Sequence, residues 1–293
     1  MTPPNQIVAG QCEQTKPPVL SDADLAALDA AVKECRPGAN HKVKIIGRGR
    51  VSLVIEWQGS MVVKPLPLFP SRRALDDYSS LWEKQFSILA AANVGVLATR
   101  LQVRAEKNGA WAGYLIQPRA AAEQLLPQFL RSVSAAEAVE ILVVLASHLK
   151  TVVSPRFGLD GDITNWCVDP NGQLLLLDSS TPLLRDEAGR GLLDLDLFLA
   201  SMPRALRWPL RRFVVPRLVD RFFETRRLLI DILSGFYSEQ LSHLLPQVIP
   251  RWNSLIEPEI SEAEVLRYKK TNERVWHVLE VLDRTSWIRP MSN

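Results

Sequence analysis

Asp160 and Asn165 stand five residues apart in Gly158-Leu159-Asp160-Gly161-Asp162-Ile163-Thr164-Asn165-Trp166, and Asp178 follows thirteen residues after Asn165. A carboxylate and a carboxamide at that spacing on one loop can converge. The carboxylate can orient or deprotonate an attacking hydroxyl, while the amide oxygen is a neutral hard donor suited to Mg²⁺. Asp178 closes the apolar run Leu174-Leu175-Leu176-Leu177, so a strand there holds a second hard oxygen beside the loop, where it can bridge metal and phosphate. Asp162 offers a competing register, but the residue five beyond it is Cys167, a poor Mg²⁺ ligand. The base is therefore placed at Asp160, and Asp162 is read as an accessory metal or substrate contact.

Residues this far apart in sequence need two kinds of element to bring them together. At 293 residues the chain is long for one core, and two lobes are expected. Residues 1–40 read as a proline-rich arm and a helix, capped by Ser21 and carrying Leu25, Leu28, Val32 and Cys35 on one face. From residue 41 to 118 the apolar period becomes two. The runs 42–46, 51–57 and 60–64, joined by Gly47-Arg48-Gly49-Arg50 and Gln58-Gly59, predict an antiparallel meander. A helix over 72–92 and strands over 97–104 and 111–117 complete a small sheet-based lobe. Residues 119–293 read as mainly helical. Their first long helix, 135–153, is capped by Ser134 with Glu137 at capping-box spacing, and the Asp160 loop and a short hairpin follow it.

A glycine-rich hairpin, a lysine strand, a long helix, a lobe crossover, a buried helix, D-x-x-x-x-N, a hairpin and an aspartate, in that order, resemble the protein-kinase-like fold. The form resembled is the compact one of aminoglycoside and choline phosphotransferases. The resemblance covers about residues 41 to 200 and implies an α+β, bilobal chain that binds ATP and Mg²⁺. By that resemblance Asp160 is the catalytic aspartate, Asn165 and Asp178 are metal ligands, and Lys64 binds the phosphates. Gly47, Gly49 and Ser52 form the phosphate loop, with Ser52 in place of the third glycine. Glu83 is chosen as the acidic partner of Lys64, with Asp76 and Asp77 as competitors, and adenine is placed near Gln117. Two departures are visible: Gly158 replaces the histidine two residues before the aspartate, and Ser179-Ser180 follows Asp178 in place of Phe-Gly.

Composition narrows the remaining classes. Hydrophobic residues make up 47% and charged residues 23% of the chain, as in ordinary globular proteins. The net charge of +3 does not argue for nucleic acid, although arginines cluster between 204 and 227. Cys12, Cys35 and Cys167 are widely spaced with no CxxC, and no apolar run reaches a membrane-spanning length, so a cytoplasmic protein is expected. The expected activity is phosphoryl transfer from ATP to a small-molecule hydroxyl or amine. Nucleotide binding without transfer, or transfer of AMP, is the alternative, and an arginine-rich nucleic-acid binder ranks last.

Overall fold

Side chains that alternate with period two give a sheet two unlike faces, and here a different helix covers each. The computed structural model describes residues 17–34, 44–48, 53–106, 109–194, 196–199, 208, 212 and 215–283. Strands β1 (Lys44–Arg48), β2 (Leu53–Trp57), β3 (Met61–Pro65), β5 (Arg100–Ala105) and β6 (Trp111–Pro118) form an antiparallel sheet in the order β1-β2-β3-β6-β5. The β2–β3 turn needs two left-handed residues. Gln58 (φ 51°) and Gly59 (φ 75°) supply them.

One face of this sheet presents Ile55, Val63, Ala112, Tyr114 and Ile116 to Leu25 and Leu28 of helix α1 (Asp22–Glu34). Asp29 anchors α1 there: the Tyr114 hydroxyl donates to it at 2.7 Å and Arg104 pairs with it. The segment before α1 runs along β5, with Arg100 Nε donating to the Pro17 carbonyl at 2.6 Å. The described part of residues 1–40 is therefore bound into the sheet's own core. The opposite face carries Leu115 and packs with Leu66, Leu75 and Tyr78. The last two belong to helix α2 (Arg72–Ala91), whose N-cap Ser71 accepts from Ala74 N.

Past α3 (Leu126–Ser132), helix α4 (Ala135–Val152) buries apolar residues on most of its circumference and centres a second core. Helix α5 (Asp196–Leu199) puts Leu197 into the α2-side core, and around α4 lie α6 (Val215–Asp220), α7 (Thr225–Gly235), α8 (Leu245–Asn253) and α9 (Glu262–Asp283). Trp252 of α8 is wholly buried and donates Nε1 to the Leu142 carbonyl at 3.0 Å. The hairpin read from the sequence is present as β8 (Trp166–Val168) and β9 (Leu174–Leu176). Its third strand is β4 (Gly95–Val96), which pairs with β9 in parallel. The strand expected over 97–104 thus starts only at Arg100, and the residues just before it join another sheet. Gly95 makes this approach possible, because a Cβ there would lie 2.5 Å from Leu175 Cδ2. Finally β7 (Phe157–Gly158) pairs with β10 (Leu183–Leu184).

The chain is thus α+β, a small antiparallel sheet followed by a mainly helical part. Among the described residues no helix is long and apolar enough to cross a membrane.

Candidate functional site

Lys64 lies on the α2-side face of β3, opposite Leu115, and Gln117 lies opposite Val62 on that same face. Both reach across to the end of β9. Lys64 Nζ is 3.5 Å from Asp178 Oδ1 and 3.3 Å from the Leu177 carbonyl, which also accepts from Gln117 Nε2 at 2.7 Å. The Gln117 amide donates as well to Thr99 Oγ1 at 2.8 Å. The Lys64 side chain is only 8% exposed, whereas that of Asp178 is 31% exposed, so the pair opens to solvent on the carboxylate side.

Burial would raise the Asp178 carboxyl, but the Lys64 ammonium together with the Ser180 N–H and hydroxyl outweighs it and holds the group below the ordinary range. Asp178 is therefore ionised at neutral pH. The Ser180 N–H donates to Asp178 Oδ1 at 3.0 Å.

Asn165 joins this strand end to the Asp160 loop. Its Nδ2 donates to the Asp160 carbonyl at 3.2 Å, and its own carbonyl accepts from Leu177 N at 2.7 Å. Leu177 is the residue before Asp178, so Asp160, Asn165, Asp178 and Lys64 belong to one connected hydrogen-bonded group. Asp162 is used differently. Its Oδ1 accepts from Thr164 N at 3.0 Å and Thr164 Oγ1 at 2.8 Å, capping the turn Ile163–Asn165. That is local chain closure rather than a contact to the Lys64 side.

Residues 27–285 match the profile of a family described as a family of unknown function (DUF6206). The chain belongs to that family. No curated protein matches it. Among solved structures, a chain titled "WaaP in complex with acyl carrier protein" aligns over 88% of this chain and 98% of its own length, with 14% identity and a TM-score of 0.36. That likeness is too distant to carry an argument.

For this family member, Glu83 requires a correction. It is exposed on α2, and the described partners of Lys64 are Asp178 and Leu177. The residues with polar groups that α2 turns inward are Tyr78 and Gln85, 2% and 1% exposed. Gln85 Nε2 donates to the Ser179 carbonyl at 3.0 Å, and the Tyr78 hydroxyl donates to the Ser180 carbonyl at 2.8 Å. Burial and then the Asp178 charge push the Tyr78 hydroxyl well up, so it keeps its proton. Helical spacing is the signal that finds both, since they lie seven residues apart among Leu75, Leu81 and Leu89.

Gly47 lies on β1, opposite Val54; Gly49 and Ser52 lie outside the described residues. Among the described residues no cluster of three or more His, Cys, Asp or Glu is placed to hold a metal ion. The hard-oxygen pair of Asn165 and Asp178 fits the role Mg²⁺ usually asks of protein, one or two ligands with phosphate and water supplying the rest. The amide orientation that aims Asn165 Nδ2 at the Asp160 carbonyl turns its oxygen the other way. Cys167 is a buried thiol pushed up to about 12 by burial and then by Asp169, and it has no part in such a site. In the arginine-rich stretch, Arg221, Arg226 and Arg227 pair with Asp231, Glu264 and Glu224.

The glycine at 158 has a packing basis. At Gly158 a Cβ would meet three atoms of the Phe223 ring at 3.0–3.1 Å, and the Arg185 guanidinium sits on that ring at 3.7 Å. The ring fills the space a side chain at 158 would take. Gly158→Ala is therefore expected to lower stability by about 1–3 kcal/mol, and Gly158→His by more, read as a fall in urea midpoint.

Ser179 is 2% exposed, and its Oγ has no hydrogen-bond partner among the described residues. Removing an orphaned buried hydroxyl relieves a desolvation cost. Ser179→Ala is expected to raise stability by about 1 kcal/mol, and a drop in melting temperature would contradict this.

Proposed function

We propose that this chain is an ATP- and Mg²⁺-dependent phosphotransferase of the protein-kinase-like kind, acting on a small-molecule hydroxyl or amine. The observation that carries the reading is the junction at β9: buried Lys64 meets Asp178, while Asn165 ties the Asp160 loop to the adjoining residue. A lysine, two hard-oxygen donors and a carboxylate in one connected group are what phosphoryl transfer asks of a protein, because its catalysis is chiefly positioning and charge stabilisation. The sheet order and the position of α2 between β3 and β5 agree with the two-lobed arrangement expected from the resemblance.

In this reading Lys64, held by Leu177 and Asp178, neutralises phosphate charge at the end of β3. Asn165 and Asp178 hold the metal, which when bound neutralises phosphate oxygens. Asp160 orients the acceptor and takes its proton. Gln117 spends both hydrogens of its amide nitrogen on Thr99 and Leu177, so neither is left to donate to a base.

Binding without transfer has one specific observation in its favour: the position two before Asp160 is a glycine sealed by Phe223 and cannot brace the loop as a histidine does. Mg²⁺-ATP at about 100 times its dissociation constant should stabilise the protein by about 2.7 kcal/mol, read as a rise in melting temperature. Mass analysis of the consumed nucleotide separates the outcomes. ADP supports phosphoryl transfer, pyrophosphate supports AMP transfer, and intact ATP supports binding alone. No thermal shift at millimolar Mg²⁺-ATP would overturn the proposal.

A further inference from the structure

We infer that Gln85 and Tyr78 of α2 are positioning residues for Asp178, acting on the chain just after it through neutral hydrogen bonds. The inference rests on the reading of Asp178 as a metal ligand for its functional meaning, though not for its geometry.

The argument turns on one peptide plane. The carbonyl of Ser179 and the N–H of Ser180 belong to the same peptide unit, which is rigid and, when trans, points its C=O and N–H in opposite directions. Gln85 Nε2 holds the carbonyl end at 3.0 Å. The N–H end donates to Asp178 Oδ1 at 3.0 Å. Rotating that plane would break both bonds, so fixing one end fixes the other. Tyr78 holds the carbonyl of the next peptide unit, that of Ser180, at 2.8 Å. Two successive planes are thus pinned by side chains spaced two helical turns apart on one face.

The burial pattern agrees with a specific role. A carboxamide removed from water costs free energy unless bonded, yet Gln85 is the most deeply buried polar side chain of α2, at 1% exposure. An apolar residue of similar size would fill the volume without that cost, and would leave the Ser179 carbonyl without this donor. Helix α2 therefore acts on the carboxylate side of the Lys64–Asp178 pair, with donors that stay neutral across the physiological range.

The test compares Gln85→Met and the milder Tyr78→Phe with Glu83→Gln, an exposed position on the same helix. Amide hydrogen exchange is followed across the whole protein, and affinity for ATP is measured with and without Mg²⁺. The expected result for Gln85→Met and Tyr78→Phe is at least tenfold faster exchange confined to residues 178–181, with the Mg²⁺ enhancement of ATP affinity reduced about tenfold. Glu83→Gln should change neither. Faster exchange spread evenly over the molecule, or none at 178–181, would overturn the inference and leave the two residues as core packing. If wild-type protein shows no Mg²⁺-dependent ATP binding, the functional reading of Asp178 fails instead, while the exchange measurement still decides whether α2 holds the turn.

Discussion

Asp178→Asn is expected to lower the proposed Mg²⁺-dependent transfer by about 10²–10³-fold, the cost of removing one preorganised charge from such a site, with no change of fold. Asparagine keeps the shape and can still accept from the Ser180 N–H through Oδ1. What it lacks is the negative charge, so the buried Lys64 ammonium loses its counter-ion and the proposed Mg²⁺ would lose an anionic ligand. Because Asp178 is about a third exposed, solvent screens the pair, and the loss of stability at neutral pH should be only about 1 kcal/mol.

The same substitution predicts a pH dependence with a definite sign. The folded-state value of Asp178 lies below the ordinary one, so the stability it contributes is fully present above the unfolded value of about 3.9 and is lost as pH falls through the lower folded value. The gap in urea midpoint between wild type and Asp178→Asn should be largest near neutrality and close below about pH 4. A gap that does not change between pH 7 and pH 3 would show that the ion pair contributes nothing.

Asp160→Ala should reduce transfer by about 10²–10⁴-fold, the range for loss of a positioned acid–base group, and leave Mg²⁺-nucleotide affinity within about threefold. The structure gives a reason for that separation. The contact from Asn165 goes to the Asp160 main-chain carbonyl, which alanine keeps, so the metal side of the site should survive removal of the carboxylate. Asp162→Ala supplies the contrast. Its carboxylate caps Thr164, and its loss should lower stability by about 1 kcal/mol without a comparable loss of transfer. An Asp160→Ala protein as active as wild type would sink the assignment of the base, and a selective loss of turnover in Asp162→Ala would move it two residues on.

Local rules were enough to read most elements from the sequence. Period two marks the meander, period 3.6 marks α2 and α4, and the turns at Gln58-Gly59 and Asp169-Pro170-Asn171-Gly172 separate strands in the way such residues require. The proximity of Asn165 to the residue before Asp178 follows from a short hairpin returning on itself. Three features were not legible, each for a physical reason. Strand β4 is two residues long and pairs with a partner eighty residues away, too short for any periodic signal. The Phe223 ring over Gly158 depends on tertiary packing between distant segments. Charge calls for an acid on α2 and the family resemblance points to Glu83, whereas the folded chain supplies that acid from Asp178 and leaves the polar positions on the inner face of α2 to a tyrosine and a glutamine.

The joint between the sheet and the end of β9 is one-sided in its chemistry. Lys64 and Gln117 donate to the oxygen of Leu177, Gln85 to that of Ser179 and Tyr78 to that of Ser180. In these four bonds the donor is a side chain and the acceptor is main chain, and a main-chain oxygen cannot be mutated away. Positions 177 and 179 can therefore take residues of similar size so long as the backbone path is kept, whereas loss of Gln85 or Tyr78 strips a carbonyl of its described donor and loss of Lys64 or Gln117 leaves the Leu177 carbonyl with one donor of two. A saturation-mutagenesis map of this region should be lopsided, tolerant of similar-sized residues at 177 and 179 and intolerant at Asp178 and at the four donor positions on β3, α2 and β6.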